Sequence, residues 1–314
     1  MDSKKPLVSI YTLTYNSSKT VLETLESIYL QTYPNIELIV SDDASTDNTL
    51  DIVRTWVNSH SNRFKRVEII TVSKNTGVTE NRRRAIALCD GEWIKNIPGD
   101  DALFHDAIEK LVNFTNLNPH AKMIQAKCAR YDTILEESHL IEINDSSENV
   151  IYKVSTARQQ FDILLCWPCI DAPAMFYHKS VFEIPDFYHC GYSGLEDYPW
   201  FLRYTYLGNK IYYCNELVSK YRKSSTSLQI TTNYNNIITK SYLQHFFEET
   251  HNYFYGLDRF ARYVVNIYSW FKCYCRNNFI RKAFSVCFYP LYWFFYRIQQ
   301  QYNYKRRENA IKLG

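Results

Sequence analysis

Two short apolar runs in this chain each close on a pair of neighbouring carboxylates. Residues 36–40 (Ile-Glu-Leu-Ile-Val) lead to Asp42-Asp43, and residues 92–97 (Glu-Trp-Ile-Lys-Asn-Ile) lead across Pro98-Gly99 to Asp100-Asp101. Short runs rich in β-branched and aromatic residues read as strands. Between them the apolar residues keep helical spacing, so strand and helix alternate. Residues 8–13 form a first strand, and Leu22, Leu25, Ile28 and Tyr29 mark a helix that Ser17 or Ser18 is placed to cap. Leu50, Ile52, Val53 and Trp56 mark a second helix, followed by a strand over 67–72, a helix over 78–88 and a strand over 92–97. This βαβαβαβ order implies right-handed crossovers and an α/β fold, a Rossmann-like, mainly parallel sheet flanked by helices.

Beyond Asp101 the pattern predicts a helix through Ala107, Ile108, Leu111, Val112 and Phe114 and a strand over 123–131. Residues 135–150 are polar and acidic and read as a loop or hairpin, and helical character returns over 156–165. Prolines and glycines punctuate 168–221, which reads as irregular chain of the kind that shapes a pocket. Two regions are expected: an α/β domain over 1–225, and a helical, aromatic and basic C-terminal extension over 226–314.

A formal net charge of only +3 does not favour a phosphate-tracking groove, so nucleic acid is not an expected partner. The 27 Tyr, 18 Phe and 6 Trp exceed what a core requires, which assigns some rings to a surface. In the extension, Arg281, Lys282 and Arg297 stand among Trp270, Trp293 and Phe294, a mixture suited to an anionic membrane surface, although packing would use the same rings. No run approaches the roughly 18 apolar residues of a spanning helix. The nearest, 283–296, is short, contains Pro290, and suits either an interface or a buried helix. No secretory signal opens the chain and its nine cysteines have no repeating spacing, so the expected location is the reducing cytosol, at the inner face of the cell membrane. Cys166-Trp167-Pro168-Cys169 lacks a second pair to complete a zinc set and reads as buried thiols.

Ligands of open α/β sheets bind at the carboxyl ends of the strands, so the two acid pairs and Thr14-Tyr15-Asn16, which closes the first strand, face one pocket. A hard cation is often held by one or two carboxylates together with substrate phosphates. Asp100 and Asp101 suit Mn²⁺ or Mg²⁺ on a nucleotide diphosphate. The competing reading is that all four acids cap the helices that follow.

In this order, Thr14-Tyr15-Asn16, Gln31-Thr32-Tyr33-Pro34-Asn35, Asp42 through Asn48-Thr49, Asn75-Thr76-Gly77, Arg82, Gly91-Glu92-Trp93-Ile94 and Asp100-Asp101 resemble the family 2 glycosyltransferases of GT-A fold. The resemblance implies an inverting, metal-dependent enzyme that moves a sugar from a nucleotide-diphosphate sugar, a UDP-sugar, to a hydroxyl of a saccharide or lipid-linked saccharide in cell-envelope polysaccharide synthesis. It implies that Thr14, Tyr15 and Asn16 line the base pocket and that Asp43, beside Asp42, contacts nucleobase or ribose. Arg82 would lie near the nucleotide, Asp100 and Asp101 would serve ribose and metal, and Arg222 would neutralise diphosphate charge, a solvated basic turn being the competing reading for Arg222. Glu196-Asp197 resembles the family's Glu-Asp pair, whose Asp is the catalytic base. Inverting transfer needs a carboxylate that removes the acceptor proton while that oxygen attacks the anomeric carbon; Asp197 is the candidate, with Glu196 orienting it or binding acceptor, and a helix cap is the competing reading. The chain departs from the family where Pro98 replaces the first acid of Asp-x-Asp-Asp, where Arg83 stands for Asn, and where Ser224 stands for His. A non-catalytic nucleotide-sugar-binding protein is the alternative. A nucleotidyltransferase is disfavoured because no Gly-rich loop follows the first strand.

Overall fold

The computed structural model describes residues 5–144, 149–166, 169–184, 197–223, 237–248, 250–275 and 277–312. The chain divides into two compact units. The first comprises Met1–Lys153, Cys169–His189 and Asn209–Ser224, and the second comprises Val154–Pro168, Cys190–Gly208 and Ser225–Gly314.

The first unit is the α/β body. Its elements run β1 (Val8–Thr14), α1 (Val21–Tyr29), β2 (Ile36–Asp42), α2 (Thr49–His60), β3 (Val67–Thr71), α3 (Val78–Ala87), β4 (Trp93–Pro98), β5 (Ala102–Leu103), α4 (Ala107–Leu117), β6 (Met123–Tyr131), β7 (Leu140–Asn144), a short α5 (Val150–Lys153), β8 (Met175–His178) and β9 (Tyr212–Arg222). One sheet runs β3-β2-β1-β4-β8-β6-β9-β5, with β7 paired to β6. The β3-β2-β1-β4 half is wholly parallel, as expected from the alternation of strands and helices. Every residue of β2 is buried, the mark of a strand covered on both faces, and Val8, Ile10, Leu38, Val40 and Ile97 join Leu25, Ile28, Val53 and Trp56 of the flanking helices in one core.

Two expectations need correction. Neither Ser17 nor Ser18 caps α1; the N-cap position is Thr20, and the Ser17 carbonyl accepts the N–H groups of Thr20 and Val21. Nor is 168–221 simply irregular, because it contains β8, the 11-residue β9 and a helix.

The second unit is helical: α6 (Ala157–Leu164), α7 (Tyr198–Tyr206), α8 (Ile237–Glu248), α9 (Gly256–Tyr274) and α10 (Asn278–Lys312). Thr156 opens α6 with a capping box, its hydroxyl accepting from the Gln159 N–H while the Gln159 side chain reaches back. Helices α9 and α10 pair through rings, Phe271 on Phe284 at 3.8 Å and Tyr268 on Tyr292 at 4.5 Å between centroids. No disulfide joins Cys166 and Cys169, and burial pushes the Cys166 thiol up to about 11.

Candidate active site

Strands β2, β1 and β4 are neighbours, and their carboxyl ends lie at one level: Thr14 is in register with Asp42, and Leu13 with Pro98. Thr14-Tyr15-Asn16 therefore sits between the two acid pairs. The competing cap reading does not hold for these acids. Helix α2 starts at Thr49, and the strand pair β5–β9 intervenes before α4.

Asp42, buried at the end of β2, accepts from the Thr14 hydroxyl at 2.8 Å, the Ser45 N–H at 2.9 Å and the Ser45 hydroxyl at 2.5 Å. It organises the loop rather than facing solvent. The Asn16 side-chain oxygen accepts the Thr46 N–H at 2.8 Å, and its own N–H donates to Ser45 Oγ at 2.8 Å, so the β1 and β2 loops are tied together. Asn16 (φ 52°) and Ala44 (φ 63°) both occupy the left-handed region, a backbone strain that Asn tolerates better than Ala. Tyr15 is exposed beside them.

Asp43 points the other way, toward α3. Its Oδ2 accepts the N–H groups of Thr76 (2.9 Å) and Gly77 (2.7 Å), and its Oδ1 accepts from Thr76 Oγ1 and pairs with Arg84, both at 2.7 Å. Burial alone would raise its pKa, but the bonds from Thr76, Arg84 and Gly77 outweigh burial and hold the carboxyl below the ordinary range. Gly77, at φ 90°, opens α3 in a conformation that leaves its N–H for Asp43. Arg82 is buried on the same helix.

Gly99-Asp100-Asp101 is gripped from three sides. Helix α1 presents Thr20, Glu23 and Thr24 on one face; Thr20 Oγ1 donates to the Gly99 carbonyl and Thr24 Oγ1 to the Asp101 carbonyl, both at 2.7 Å. Strand β1 approaches so closely that a Cβ on Gly99 would lie 2.9 Å from Thr14 Cγ2 and 3.1 Å from the Leu13 carbonyl. From β9, the Arg222 N–H donates to Asp101 Oδ1 at 2.8 Å and its Nε to the Asp100 carbonyl at 2.8 Å, while its guanidinium also reaches the Thr133 carbonyl and the Glu23 carboxylate.

The two acids of this pair differ in exposure, although desolvation raises both carboxyls above the ordinary range. Asp100 is exposed, whereas Asp101 is buried and its Oδ2 has no hydrogen-bond partner. Burial first, then the charge of Asp100, raises the Asp101 carboxyl well above the usual range, against the opposing pull of the Arg222 N–H and Lys95. Lys95 itself is fully buried on β4, donates to the Asn96 and Pro173 carbonyls at 2.7 Å each, and is pushed down to about 7 by burial. Among the described residues no cluster of three His, Cys, Asp or Glu could hold a metal by itself. One exposed carboxylate beside an unpartnered buried one nevertheless suits a hard cation that completes its shell with substrate phosphates.

Asp197 belongs to the second unit, half-buried at the N-cap of α7, where its Oδ1 accepts the Tyr198 N–H at 2.7 Å. Glu196 lies outside the described residues. Sequence reasoning gave no role to Arg84, Lys95, Thr76 or the α1 face. The Thr20–Thr24 spacing of four, polar on an apolar helix, was the available signal for the last of these.

A parallel sheet with polar strand ends abreast, continued by antiparallel strands that carry β9 back against the acid pair, defines a GT-A architecture. Across residues 9–183 the sequence matches Glycosyl transferase family 2, and the chain belongs to that family. It is 36% identical over 110 residues to the UDP-Glc:alpha-D-GlcNAc-diphosphoundecaprenol beta-1,3-glucosyltransferase WfaP of Escherichia coli, a match covering 34% of this chain and 41% of that one. It is 32% identical over 105 residues to the glycosyltransferase GlyG of Streptococcus pneumoniae, covering 33% and 34%. The matched stretch thus spans less than half the length of either relative. The fold is shared with S. aureus TarS 1-349 solved in complex with UDP-GlcNAc, at a TM-score of 0.57 and 14% identity over 98% of this chain and 90% of that one.

Proposed function

We propose that the protein transfers a sugar from a UDP-sugar, with inversion at the anomeric carbon, to a hydroxyl of a saccharide or lipid-linked saccharide in the synthesis of a bacterial cell-envelope polysaccharide. The observation that carries this reading is the row of polar ends on β2, β1 and β4, with exposed Asp100 beside buried Asp101. The substrates in the name of one relative, WfaP, a UDP-sugar and a lipid-diphosphate-linked sugar, support it.

In this reading Tyr15 and Asn16 border the base, with Thr14 and Asp42 holding their loop. Asp43 fixes the Thr76-Gly77 turn that opens α3, close to Arg82, so the nucleoside end of the pocket is formed before donor arrives. Asp100 would hold Mn²⁺ or Mg²⁺ together with the unpartnered Oδ2 of Asp101, whose Oδ1 anchors the turn. The bound cation would supply positive charge to the departing diphosphate. Arg222 braces that turn with three of its five N–H donors, and the two that remain, with its positive charge, can serve the diphosphate. Asp197 takes the proton of the acceptor hydroxyl. A carboxylate has two oxygens; the cap bond uses Oδ1, and the base role requires the other. A lipid-linked acceptor places the reaction at the inner face of the cell membrane.

A second reading, a nucleotide-sugar-binding protein without catalysis, is favoured by the cap bond itself, which gives Asp197 a structural use. Purified protein is offered a panel of nucleotide sugars with a saccharide acceptor, with and without Mn²⁺, and UDP release is followed. Asp197→Asn should abolish release while donor affinity and folding stability stay near wild type. Retained turnover in Asp197→Asn, or release indifferent to chelator, removes the proposed base or the proposed metal respectively.

A further inference from the structure

We propose that one face of α10 is a docking surface for an anionic lipid bilayer. Residues 259–307 contain ten Lys and Arg and no Asp or Glu, within a chain whose formal net charge is only +3; two of the ten, Arg262 and Arg306, are paired with Asp258 and Asp162 and add nothing to the surface charge. Within it, Phe279, Lys282, Val286, Tyr289, Trp293 and Arg297 recur at intervals of three and four and so share one stripe of the helix. That stripe is solvent-facing: Phe279 is 81% exposed, Val286 76%, Tyr289 49% and Trp293 41%, with Lys282 and Arg297 exposed among them. The opposite side is the one that packs, where Phe284 and Tyr292 stack on Phe271 and Tyr268 of α9 and Phe295 meets Phe260 edge-on. Packing therefore accounts for the inner rings and leaves the outer ones unexplained. The stripe runs about 27 Å, and among the described residues no helix is long and apolar enough to cross a membrane.

A bilayer is the occupant this surface fits. Rings at the level of the headgroups, with Lys and Arg reaching up to phosphates from the same stripe, are how an in-plane helix binds an interface. The guanidinium of Arg297 already lies 5.7 Å from the Trp293 ring, a cation held over the apolar anchor it would accompany. An acid-free surface selects anionic lipid over zwitterionic lipid. The inference rests on this surface alone and holds whichever sugar is transferred.

The test is co-sedimentation of the full chain with phosphatidylcholine vesicles prepared with and without phosphatidylglycerol, at low and high salt. Wild type should partition to the phosphatidylglycerol vesicles, weakly or not at all to phosphatidylcholine alone, and less as salt rises. Trp293→Glu/Phe279→Glu and, separately, Lys282→Ala/Arg297→Ala should each weaken partitioning about tenfold or more, with unchanged circular dichroism and unchanged UDP binding. The second pair removes charge without adding any, so a folding defect in the first leaves the question decidable. Equal binding to both lipids, binding untouched by either pair, or a salt-independent dimer in solution that the first pair dissociates would overturn the proposal, the last by assigning the stripe to a second copy of the chain.

Discussion

The backbone N–H of Arg222 donates to the Asp101 carboxylate at 2.8 Å across 121 residues of sequence. The last residue of β9 thus fixes the turn that presents Asp100, while the Arg222 side chain fixes the same turn through the Asp100 carbonyl and Glu23. Backbone and side chain do separable work, because a substitution at 222 removes only the second.

Arg222→Ala should keep the Asp101 bond and lose the fork. Loss of hydrogen bonds from a largely buried guanidinium predicts about 1–3 kcal/mol of destabilisation in urea unfolding. Donor affinity should fall about tenfold as the turn loosens, read by UDP titration with Mn²⁺. Arg222→Lys should not restore it, since an ammonium cannot reach the Asp100 carbonyl and Glu23 together in a planar fork. Full recovery by Lys would show that only charge matters there.

Asp43 carries a pH dependence of defined sign. Its folded pKa is lowered, so the stability it contributes is present above the unfolded value of roughly 3.9 and is lost as pH falls through the folded value. Asp43→Asn removes the charge partner of Arg84, for an expected loss of about 2 kcal/mol at neutral pH. The gap between variant and wild type should narrow below about pH 4, where wild type protonates as well. Denaturant unfolding at neutral and acid pH measures both; a gap constant with pH would mean that the Arg84 pair contributes nothing.

The parallel half of the sheet was legible because each strand there is followed at once by a helix that covers it, and both periods are local. Strand β9 was not. It pairs in parallel with β6 from the far side of the sequence, and the register slips near Lys127, where Asn215 and Glu216 interrupt the alternation of its apolar residues. The same logic divides the site. Asp42, Asp43, Asp100 and Asp101 stood out as charged residues after apolar runs, whereas their uses depend on backbone donors at Gly77 and Arg222, which leave no trace in side-chain identity. The resemblance singled out Arg82 for the nucleotide; the guanidinium that pairs with Asp43 is a second one on α3, Arg84, which nothing in its side-chain identity distinguishes.

Gly99 separates the end of β1 from the acid pair. An added Cβ would meet Thr14 Cγ2 at 2.9 Å and the Leu13 carbonyl at 3.1 Å, the second being backbone that cannot rotate aside. Gly99→Ala should therefore displace the turn, with an overpacking cost of about 1–3 kcal/mol. Because the displaced residues include Asp100, metal-dependent donor binding should weaken more than stability alone explains. Calorimetry of UDP binding with and without Mn²⁺ reads this; equal loss in both conditions would place the disturbance away from the cation.

His245 offers a measurement confined to the helical unit. Its ring is 2% exposed, lies 3.2 Å through Nδ1 from Thr250 Oγ1, and stands edge-on to Tyr198 at 6.0 Å between centroids. Burial lowers its pKa from 6.5 to about 4, with Glu248 pulling weakly the other way. Unfolded chain then binds a proton that folded chain does not throughout this interval, so stability is complete above about pH 6.5 and declines as pH falls through the folded value. A shift of this size corresponds to about 3 kcal/mol across the interval. His245→Gln keeps a partner for Thr250 and removes the titration, so its unfolding free energy should be flatter than wild type between pH 4 and 6.5. Parallel pH profiles for the two proteins would mean that the ring titrates as it does in water and that the cavity around it opens to solvent.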